Sequence, residues 1–133
     1  MSTINAIEAR LGVADVKRSA AFYRDVLGFS IGMLWPENTP EFAILHRDGL
    51  RLQLGSREAP ATDAALYSST LCFDVSSALD LHASIAPRVA IEWGPEVYFY
   101  HRREFAFRDP DGHMIIVSEV TDDPVTCHDS EER

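Results

Sequence analysis

Apolar and polar residues alternate along eight short segments of the chain, and this period of two predicts β-strands. In the first half of the chain the predicted strands cover residues 7–13, 29–34, 42–46 and 50–54. In the second half they cover residues 70–75, 89–93, 103–107 and 114–119. Pro36 and Pro40 confine one of the connections to a loop.

Two further segments carry the spacing of a helix instead. Between residues 15 and 28, apolar residues recur on one helical face: Val16, Ala20, Tyr23 and Leu27. Asp15 is predicted to cap the start of this helix, and Gly28 is predicted to end it in the left-handed conformation. In the second half of the chain, Ser76 or Ser77 is predicted to begin a shorter helix.

The two halves repeat the same order of elements. The hairpin signal Asp-Gly occurs at Asp48-Gly49 in HRDGLRLQL and at Asp111-Gly112 in RDPDGHMIIV. Nearly the same offset superimposes RLGVADVKRSAAFY on LCFDVSSALDLHA. Two landmarks with one period indicate a duplicated unit. The sequence therefore predicts an α+β fold of two βαβββ modules, at about 5–58 and 67–120, forming a single domain of residues 1–121.

Two segments lie outside the modules. The linker SREAPATDAALYSS is rich in small and polar residues, and residues 122–133 form an acidic polar tail that we expect to be disordered or loosely packed. Cys127 falls in this tail and is expected to be a surface thiol, whereas Cys72 falls in a predicted strand and is expected to be buried. Two cysteines so placed indicate neither a disulfide framework nor a metal site.

The charge of the chain limits its partners. The formal net charge of -9 argues against nucleic-acid binding, which needs a basic face, and suits a cationic ligand. No apolar run approaches the roughly 18 residues that would cross a bilayer, and MSTINAIEAR lacks the features of a signal peptide. We therefore expect a cytoplasmic protein with no membrane partner.

Strand alternation divides the predicted sheets into two faces. One face is apolar and is expected to pack on the helices: Leu11, Val13, Leu52, Leu54, Leu71, Phe73, Val75, Ile115 and Val117. The other face mixes charged, amide, hydroxyl and apolar groups: Glu8, Arg10, Arg51, Gln53, Thr70, Cys72, Asp74, Met114 and Ile116. Such a face can line a wet ligand cleft. The alternative is a solvent face on which Glu8 pairs with Arg10 or Arg51.

Three stretches resemble the vicinal oxygen chelate superfamily, which contains glyoxalase I, ring-cleaving dioxygenases and bleomycin-resistance proteins. They are LGVADVKRSAAFYRDVLGF, FDVSSALDLHA and REFAFRDPDGHMIIVSE, and the resemblance covers residues 5 to 120. It implies curved half-barrel sheets, a ligand site built from two half-barrels, and a homodimer. The match is nearest to the bleomycin-resistance-like, metal-free members.

The same resemblance implies four metal-ligand positions, which here are Glu8, Gln53, Thr70 and Ile116, with Ser68 in place of Thr70 if the register slips by two. Ile116 donates nothing to a metal, and the neutral hydroxyl of Thr70 is a poor ligand. We therefore expect no metal and no other cofactor. A displaced site remains the alternative, using some of His46, His101, His113 and Glu104.

Two of these alternative residues have expectations of their own. His113 directly follows the Asp-Gly turn and is expected to be exposed. The pair Arg103-Glu104 resembles the Arg-Glu pair that precedes the DPDG hairpin in bleomycin-resistance-like proteins. We expect it to form an internal ion pair.

Aromatic residues outside the core spacing give a hint of function. Trp35, Trp93 and Tyr98 are expected in loops, where aromatic rings commonly stack on planar or cationic ligands. With no nucleophile motif near the histidines, we expect no catalytic residue. The sequence therefore predicts metal-independent binding of a small aromatic or cationic molecule, as in antibiotic resistance by sequestration.

The expected ligand-binding set spans both modules: Glu8, Arg10, Trp35, Gln53, Thr70, Trp93 and Tyr98. Two other interpretations stay open. One is a metal-dependent lyase, isomerase or dioxygenase with a displaced metal site. The other is a structural or regulatory module whose cleft is vestigial.

Overall fold

A computed structural model describes residues 1–57 and 68–127. The chain divides into two compact units, Met1–Tyr67 and Ser68–Arg133, hereafter the first and second unit. Most of the predicted linker, at 58–67, and the end of the predicted tail, at 128–133, lie outside the described residues. No helix in the described part of the chain is long and apolar enough to cross a membrane.

The first unit packs one helix on a four-stranded mixed sheet. Its elements are β1 (Arg10–Val13), α1 (Val16–Leu27), β2 (Ser30–Trp35), β3 (Phe42–Arg47) and β4 (Leu50–Ser56). The strand order is β1-β4-β3-β2, in which β1 runs parallel to β4 and the other neighbours are antiparallel.

The second unit repeats this topology. Its elements are β5 (Thr70–Asp74), α2 (Ala78–Ile85), β6 (Ile91–Tyr98), β7 (Arg102–Arg108) and β8 (Met114–Val120). The order is β5-β8-β7-β6, again with a parallel pair at one edge. The predicted α+β fold of two βαβββ modules is therefore confirmed, and neither sheet closes on itself.

Both helices begin where the sequence predicts. The Asp15 carboxylate accepts a hydrogen bond from the Arg18 backbone N–H at 3.1 Å, and Gly28 ends α1 with φ of 72°. At the second helix, the Ser77 hydroxyl accepts from the backbone N–H of Asp80 at 3.2 Å. Ser77 rather than Ser76 is thus the cap.

The cores follow the predicted alternation. In the first unit, the buried side chains lie between α1 and the sheet: Leu11, Val13, Val16, Ala20, Tyr23, Leu27, Ala43, Leu45, Leu52 and Leu54. In the second unit, the buried positions on α2, β7 and β8 include Ala78, Ile85, Phe105, Phe107, Ile115 and Val117. Leu71 and Phe73, on the edge strand β5, are only half-buried.

Two strands differ from the prediction by three residues or more at one end, whereas the ends of the others agree within two residues. β1 begins at Arg10 rather than at Ile7, because pairing with β4 starts at Arg10 opposite Gln53 and the Ile7 side chain is 94% exposed. β6 continues through Gly94-Pro95 to Tyr98, with register shifts on either side of Trp93. A proline is tolerated in this strand because β6 is an edge strand.

The expectation of a loose tail is wrong where the tail contacts the second sheet, since Thr126 and Cys127 lie along β6 and Asp123 pairs with Arg103 of β7. The backbone N–H groups of Thr126 and Cys127 both donate to the carbonyl of Val97, at 2.8 and 2.9 Å. Val97 in turn donates to the Thr126 hydroxyl at 2.8 Å. The segment is ordered because it satisfies backbone groups that an edge strand leaves open.

The cysteine expectations are also wrong: Cys127 is buried and Cys72 exposed.

An ion pair between Arg103 and Asp123 holds the same segment, and it makes a measurable prediction. The guanidinium, on a side chain that is 16% exposed, donates to the carboxylate and lowers the pKa of Asp123 below its ordinary value. A carboxylate with a depressed pKa stabilises the fold above its unfolded pKa, and this contribution is lost as the pH falls through the folded pKa. Exchange of Arg103 for Gln should raise the pKa of Asp123 toward its ordinary value. A carbon-detected NMR titration of the carboxyl signal measures it, and identical titration curves for the two proteins would contradict the pairing.

Candidate functional site

A cavity of about 670 Å³ opens on the face of the first unit's sheet that is turned away from α1. Two glycines on neighbouring strands, Gly12 and Gly55, lie opposite each other and keep its floor low. The aliphatic stem of Arg10 crosses this floor, since a Cβ atom at residue 55 would stand 3.4 Å from Arg10 Cδ. The lining residues are Arg10, Leu11, Gly12, Met33, Trp35, Glu41, Phe42, Gly55 and Ser56.

Aromatic and thioether groups from β2 and β3 form the apolar part of the lining. Trp35 pairs with Phe42 across the two strands. Met33 precedes Trp35 by two residues in β2 and lines the same cavity. Trp35 is 62% exposed and Met33 40% exposed, although both are large apolar side chains. The cavity therefore offers a ring surface that the first unit itself does not cover.

A row of polar side chains, called here the polar row, crosses the same face of the sheet: Glu8, Arg10, Arg51 and Gln53. Arg51 Nε lies 3.3 Å from Glu8 Oε1, and Gln53 Nε2 donates to the same oxygen at 3.0 Å. Gln53 Oε1 accepts from Arg10 Nε at 2.9 Å. The Arg10 guanidinium also stands 4.8 Å from the centre of the Phe42 ring. The structure thus brings together three predicted site residues, and it pairs Glu8 with Arg51.

Of the nine residues that line the cavity, the predicted set contained Arg10 and Trp35. Among the seven that it missed, Met33, Glu41 and Phe42 have side chains that bear on ligand binding. Phe42 could have been found, because it alternates with Ala43 and Leu45 of the core and so belongs to the opposite face. Met33 depends on a register shift between residues 31 and 33 that the pattern does not show. Glu41 precedes β3 and carries no signal in the sequence.

The second unit holds the other three predicted site residues. Thr70 is exposed on β5, opposite Met114 of β8. Trp93 and Tyr98 lie in β6 rather than in a loop, and their ring centres are 5.7 Å apart in an edge contact. Tyr98 is 1% exposed and stacks on Tyr100, so it supports the Trp93 ring from within the unit. The loop expectation is wrong for Trp93 and Tyr98, because β6 extends past the proline. It is also wrong for Trp35, which is the last residue of β2.

A buried carboxylate organises the middle of the second sheet. Glu104, 2% exposed, accepts a hydrogen bond from the Tyr100 hydroxyl and another from the Ser118 hydroxyl, the latter at 2.6 Å. Ser118 also accepts from Arg102, whose guanidinium reaches Asp74 at 2.7 Å. These contacts join three strands of the sheet through charge-assisted hydrogen bonds.

Two expectations about neighbouring residues fail for geometric reasons. Arg103 and Glu104 are adjacent in β7, so they point to opposite faces, and Arg103 pairs instead with Asp123 and, at 3.9 Å, with Glu119. His113 is fully buried rather than exposed. Its Nδ1 accepts the Ser69 backbone N–H at 2.8 Å, which ties the hairpin to the start of β5.

The residues at the family's metal-ligand positions do not fit a metal ion. The Glu8 carboxylate already pairs with Arg51, and the Gln53 side-chain carbonyl already accepts a hydrogen bond from Arg10. A divalent cation bound there would be repelled by two guanidinium groups. At the remaining positions stand a neutral hydroxyl, Thr70, and an aliphatic side chain, Ile116. Within residues 1–57 and 68–127, no three His, Cys, Asp or Glu side chains are grouped as metal ligands would be.

The residues of the alternative, displaced metal site are also engaged or dispersed. His113 and Glu104 are buried in hydrogen bonds of their own. His46 is exposed on β3 of the first unit, and His101 is exposed in the turn after β6 of the second. Neither unit brings two of these histidines and a carboxylate to one point among its described residues.

Solved structures with the same fold include proteins of different activity. A bleomycin resistance determinant encoded on the transposon Tn5 matches with a TM-score of 0.72 and 20% identity, over 88% of this chain and 98% of the other. Lactoylglutathione lyase from Agrobacterium tumefaciens matches with a TM-score of 0.70 and 22% identity, over 88% and 95%. TioX from Micromonospora sp. ML1 matches with a TM-score of 0.74 and 19% identity, over 85% and 96%. At these identities the likeness concerns the fold.

Sequence comparison places the chain more directly. YraH of Bacillus subtilis (strain 168) is 40% identical over 55 residues, which span 41% of this chain and 41% of that relative. The profile of the Glyoxalase/Bleomycin resistance protein/Dioxygenase superfamily matches residues 3–117. The match contains both modules with their hairpins and most of the strands of both sheets. The chain therefore belongs to the glyoxalase/bleomycin resistance protein/dioxygenase superfamily.

Proposed function

We propose that the protein binds a small aromatic molecule in the cavity of the first unit, without a metal ion and without chemical change to the ligand. The observation that carries the proposal is the exposed Trp35 ring beside Phe42 and Met33, at the wall of a cavity large enough for a fused-ring compound. Stacking on such rings holds planar ligands by about 0.5–1.5 kcal/mol for each aromatic pair beyond the burial of area.

The donor chemistry supports a binding protein rather than a metal-dependent enzyme. Both oxygen donors that the first unit contributes to the family's ligand set are held by arginine side chains. Relatives with this fold include both a resistance determinant and a lyase, so the fold alone does not decide between the two classes. The residues at the metal-ligand positions favour binding of a small molecule without a metal ion. A protein of this kind would act by sequestering the molecule.

The polar row changes which ligands are favoured within this proposal. The sequence suggested that Glu8 attracts a cation, yet its carboxylate is only 25% exposed and already meets Arg51 and Gln53. A cationic ligand would have to displace a guanidinium from it. An aromatic ligand needs no such exchange, and the aromatic part of the prediction is therefore the part we propose.

Self-association belongs to the same proposal. β1 and β2 are the outer strands of the first sheet, and each has one strand neighbour among the described residues. Open edges of this kind can be covered by a second copy of the chain. We propose a homodimer on this basis, in a cytoplasmic location as the sequence predicts.

Binding can be tested on the two tryptophans, because the chain contains only Trp35 and Trp93 and each gives one indole N–H signal in nitrogen-15 NMR. The neutral planar probe 2-naphthamide should shift the Trp35 signal saturably, with or without a chelator present. Exchange of Trp35 for Ala should weaken binding about 5- to 30-fold, because the stacking surface is lost. The shift of the Trp93 signal in the same titration shows whether this predicted residue also meets the ligand.

Phe99 provides the matched control, since it is an aromatic residue of similar exposure that does not line the cavity. Its exchange for Ala should leave the affinity unchanged. The proposal fails if naphthalene probes of positive, neutral and negative charge all leave the Trp35 signal in place at millimolar concentration. Metal independence fails if a chelator abolishes binding.

A further inference from the structure

We propose that the ligand is an aromatic carboxylate and that Arg10 is the group that binds its negative charge. This inference rests on the proposed function and adds the chemical class of the ligand to it. It starts from Arg10, which is the one cationic side chain among the described residues that line the cavity and lies 4.8 Å from the centre of the Phe42 ring.

Arg10 uses only part of its hydrogen-bonding capacity inside the protein. Its Nε donates to Gln53 Oε1 at 2.9 Å. Its two terminal nitrogens make no hydrogen bond or ion pair with any of residues 1–57 and 68–127. Two parallel N–H groups of this kind match the two oxygens of a carboxylate, a fit that a lysine cannot provide.

The polar row fixes this guanidinium before any ligand arrives. Gln53 must turn its carbonyl oxygen toward Arg10, because its amide nitrogen is engaged in a hydrogen bond to Glu8 at 3.0 Å. The guanidinium also lies over the Phe42 ring, with its carbon 4.8 Å from the ring centre. A group held in place loses little conformational entropy on binding, so it binds an anion more tightly than a free surface arginine does.

The charge balance on this face also favours an anion. The polar row contains two guanidinium groups and one carboxylate, and that carboxylate contacts Arg51 and Gln53 and is not among the residues that line the cavity. Arg10 is thus left as the cation that Glu8 does not neutralise directly. The net charge of -9 repels anions at long range, but screening at physiological salt limits such repulsion to about 8 Å.

Glu41 is the one acidic residue among the lining residues, and it must be weighed against this proposal. Its backbone is fixed, because its N–H donates to the Trp35 carbonyl at 2.9 Å. Its exposed carboxylate makes no hydrogen bond or ion pair within the described part of the chain. A side chain with no such partner can turn into water at small cost, whereas Arg10, although exposed, is held by its hydrogen bond to Gln53 and its contact with the Phe42 ring. The fixed charge therefore decides the preference.

The test compares 2-naphthoate with 2-naphthamide, which have the same ring and nearly the same shape but differ in charge. Dissociation constants from calorimetry, with the Trp35 indole signal as a check of location, should be about 10- to 100-fold lower for 2-naphthoate. Exchange of Arg10 for Gln should remove this preference, and exchange for Lys should retain a small part of it. Lys17→Gln removes the same charge on the exposed face of α1 and should leave the preference intact.

The outcomes separate the two proposals. Equal affinity of both probes for the unaltered protein, or tighter binding of the cationic 2-naphthylmethylammonium, would overturn the assignment of Arg10 while leaving aromatic binding established. The assignment is also overturned if Arg10→Gln weakens the binding of both probes by the same factor, since Arg10 would then contribute packing contacts and no recognition of charge. Failure of every probe to bind would overturn the proposed function itself. If Arg10→Gln does not fold, the affinities of the two naphthalene probes for the unaltered protein still decide whether the site prefers an anion.

Discussion

Exchange of Gly94 for alanine is expected to lower the free energy of unfolding by about 4 kcal/mol. Gly94 has φ of +79°, which any residue with a Cβ atom adopts at a cost. The added Cβ would also stand 2.2 Å from the Glu104 carbonyl oxygen and 2.8 Å from Phe105 Cα. Both contacts are with the backbone of the central strand β7, which cannot turn aside as a flexible side chain would. β6 would therefore have to separate from β7.

Gly112 is the matched control for this experiment. It has a similar φ of +87°, but beyond its own residue and its two chain neighbours an added Cβ would have no atom of residues 1–57 or 68–127 within 4 Å. Alanine there should cost only the conformational part, roughly 1–2 kcal/mol. Denaturant unfolding of both variants beside the parent measures the difference. If Gly94→Ala and Gly112→Ala lost the same free energy of unfolding, β6 would not approach β7 as closely at Gly94 as described.

Exchange of Glu104 for alanine is expected to lower the free energy of unfolding by about 3 kcal/mol. The carboxylate is 2% exposed, and it is the acceptor for the hydroxyls of Tyr100 and Ser118. Its removal leaves both hydroxyls to find other partners in a buried setting and leaves a cavity beside them. Glutamine at the same position keeps the volume and one carbonyl acceptor, so Glu104→Gln should lose less.

Glu92 gives the comparison for an acidic residue on the surface of the same sheet. It pairs with Arg108 at 3.2 Å, with both side chains close to half exposed. Its exchange for alanine should change the free energy of unfolding by less than about 1 kcal/mol, as for other exposed ion pairs. Thermal or denaturant unfolding of the three glutamate variants gives the order. A Glu104→Ala protein as stable as Glu92→Ala would mean that the buried network contributes nothing.

The features that sequence predicted well depend on local chemistry. Asp15 and Gly28 mark the ends of α1 because a capping oxygen and a left-handed residue act within one turn of the helix. Alternation sorted Leu11, Leu54 and Val117 to the core because a strand reverses its side chains at every residue. The repeated Asp-Gly hairpins then gave the topology of both modules.

The features that sequence missed depend on which segments meet. β6 passes through Gly94-Pro95 by shifting its register, and no pattern of apolar residues reveals such a shift. The burial of Cys127 depends on the open edge of β6, which lies far from it in the chain. The choice between Arg10 and Arg51 as the partner of Glu8 needed the register of β1 on β4. The cavity that follows from this register could not be located from the sequence.

The segment from Thr121 to Cys127 also bears on how the protein should be produced. The superfamily match ends at residue 117, and β8 ends at Val120, so either point looks like a natural place to stop the chain or to attach a tag. A chain cut there would lose the strand-like cover over Val97 and Tyr98 and would present bare backbone donors and acceptors to other molecules. Such material would be prone to associate edge to edge. Expression boundaries and fusion partners are better placed beyond Cys127.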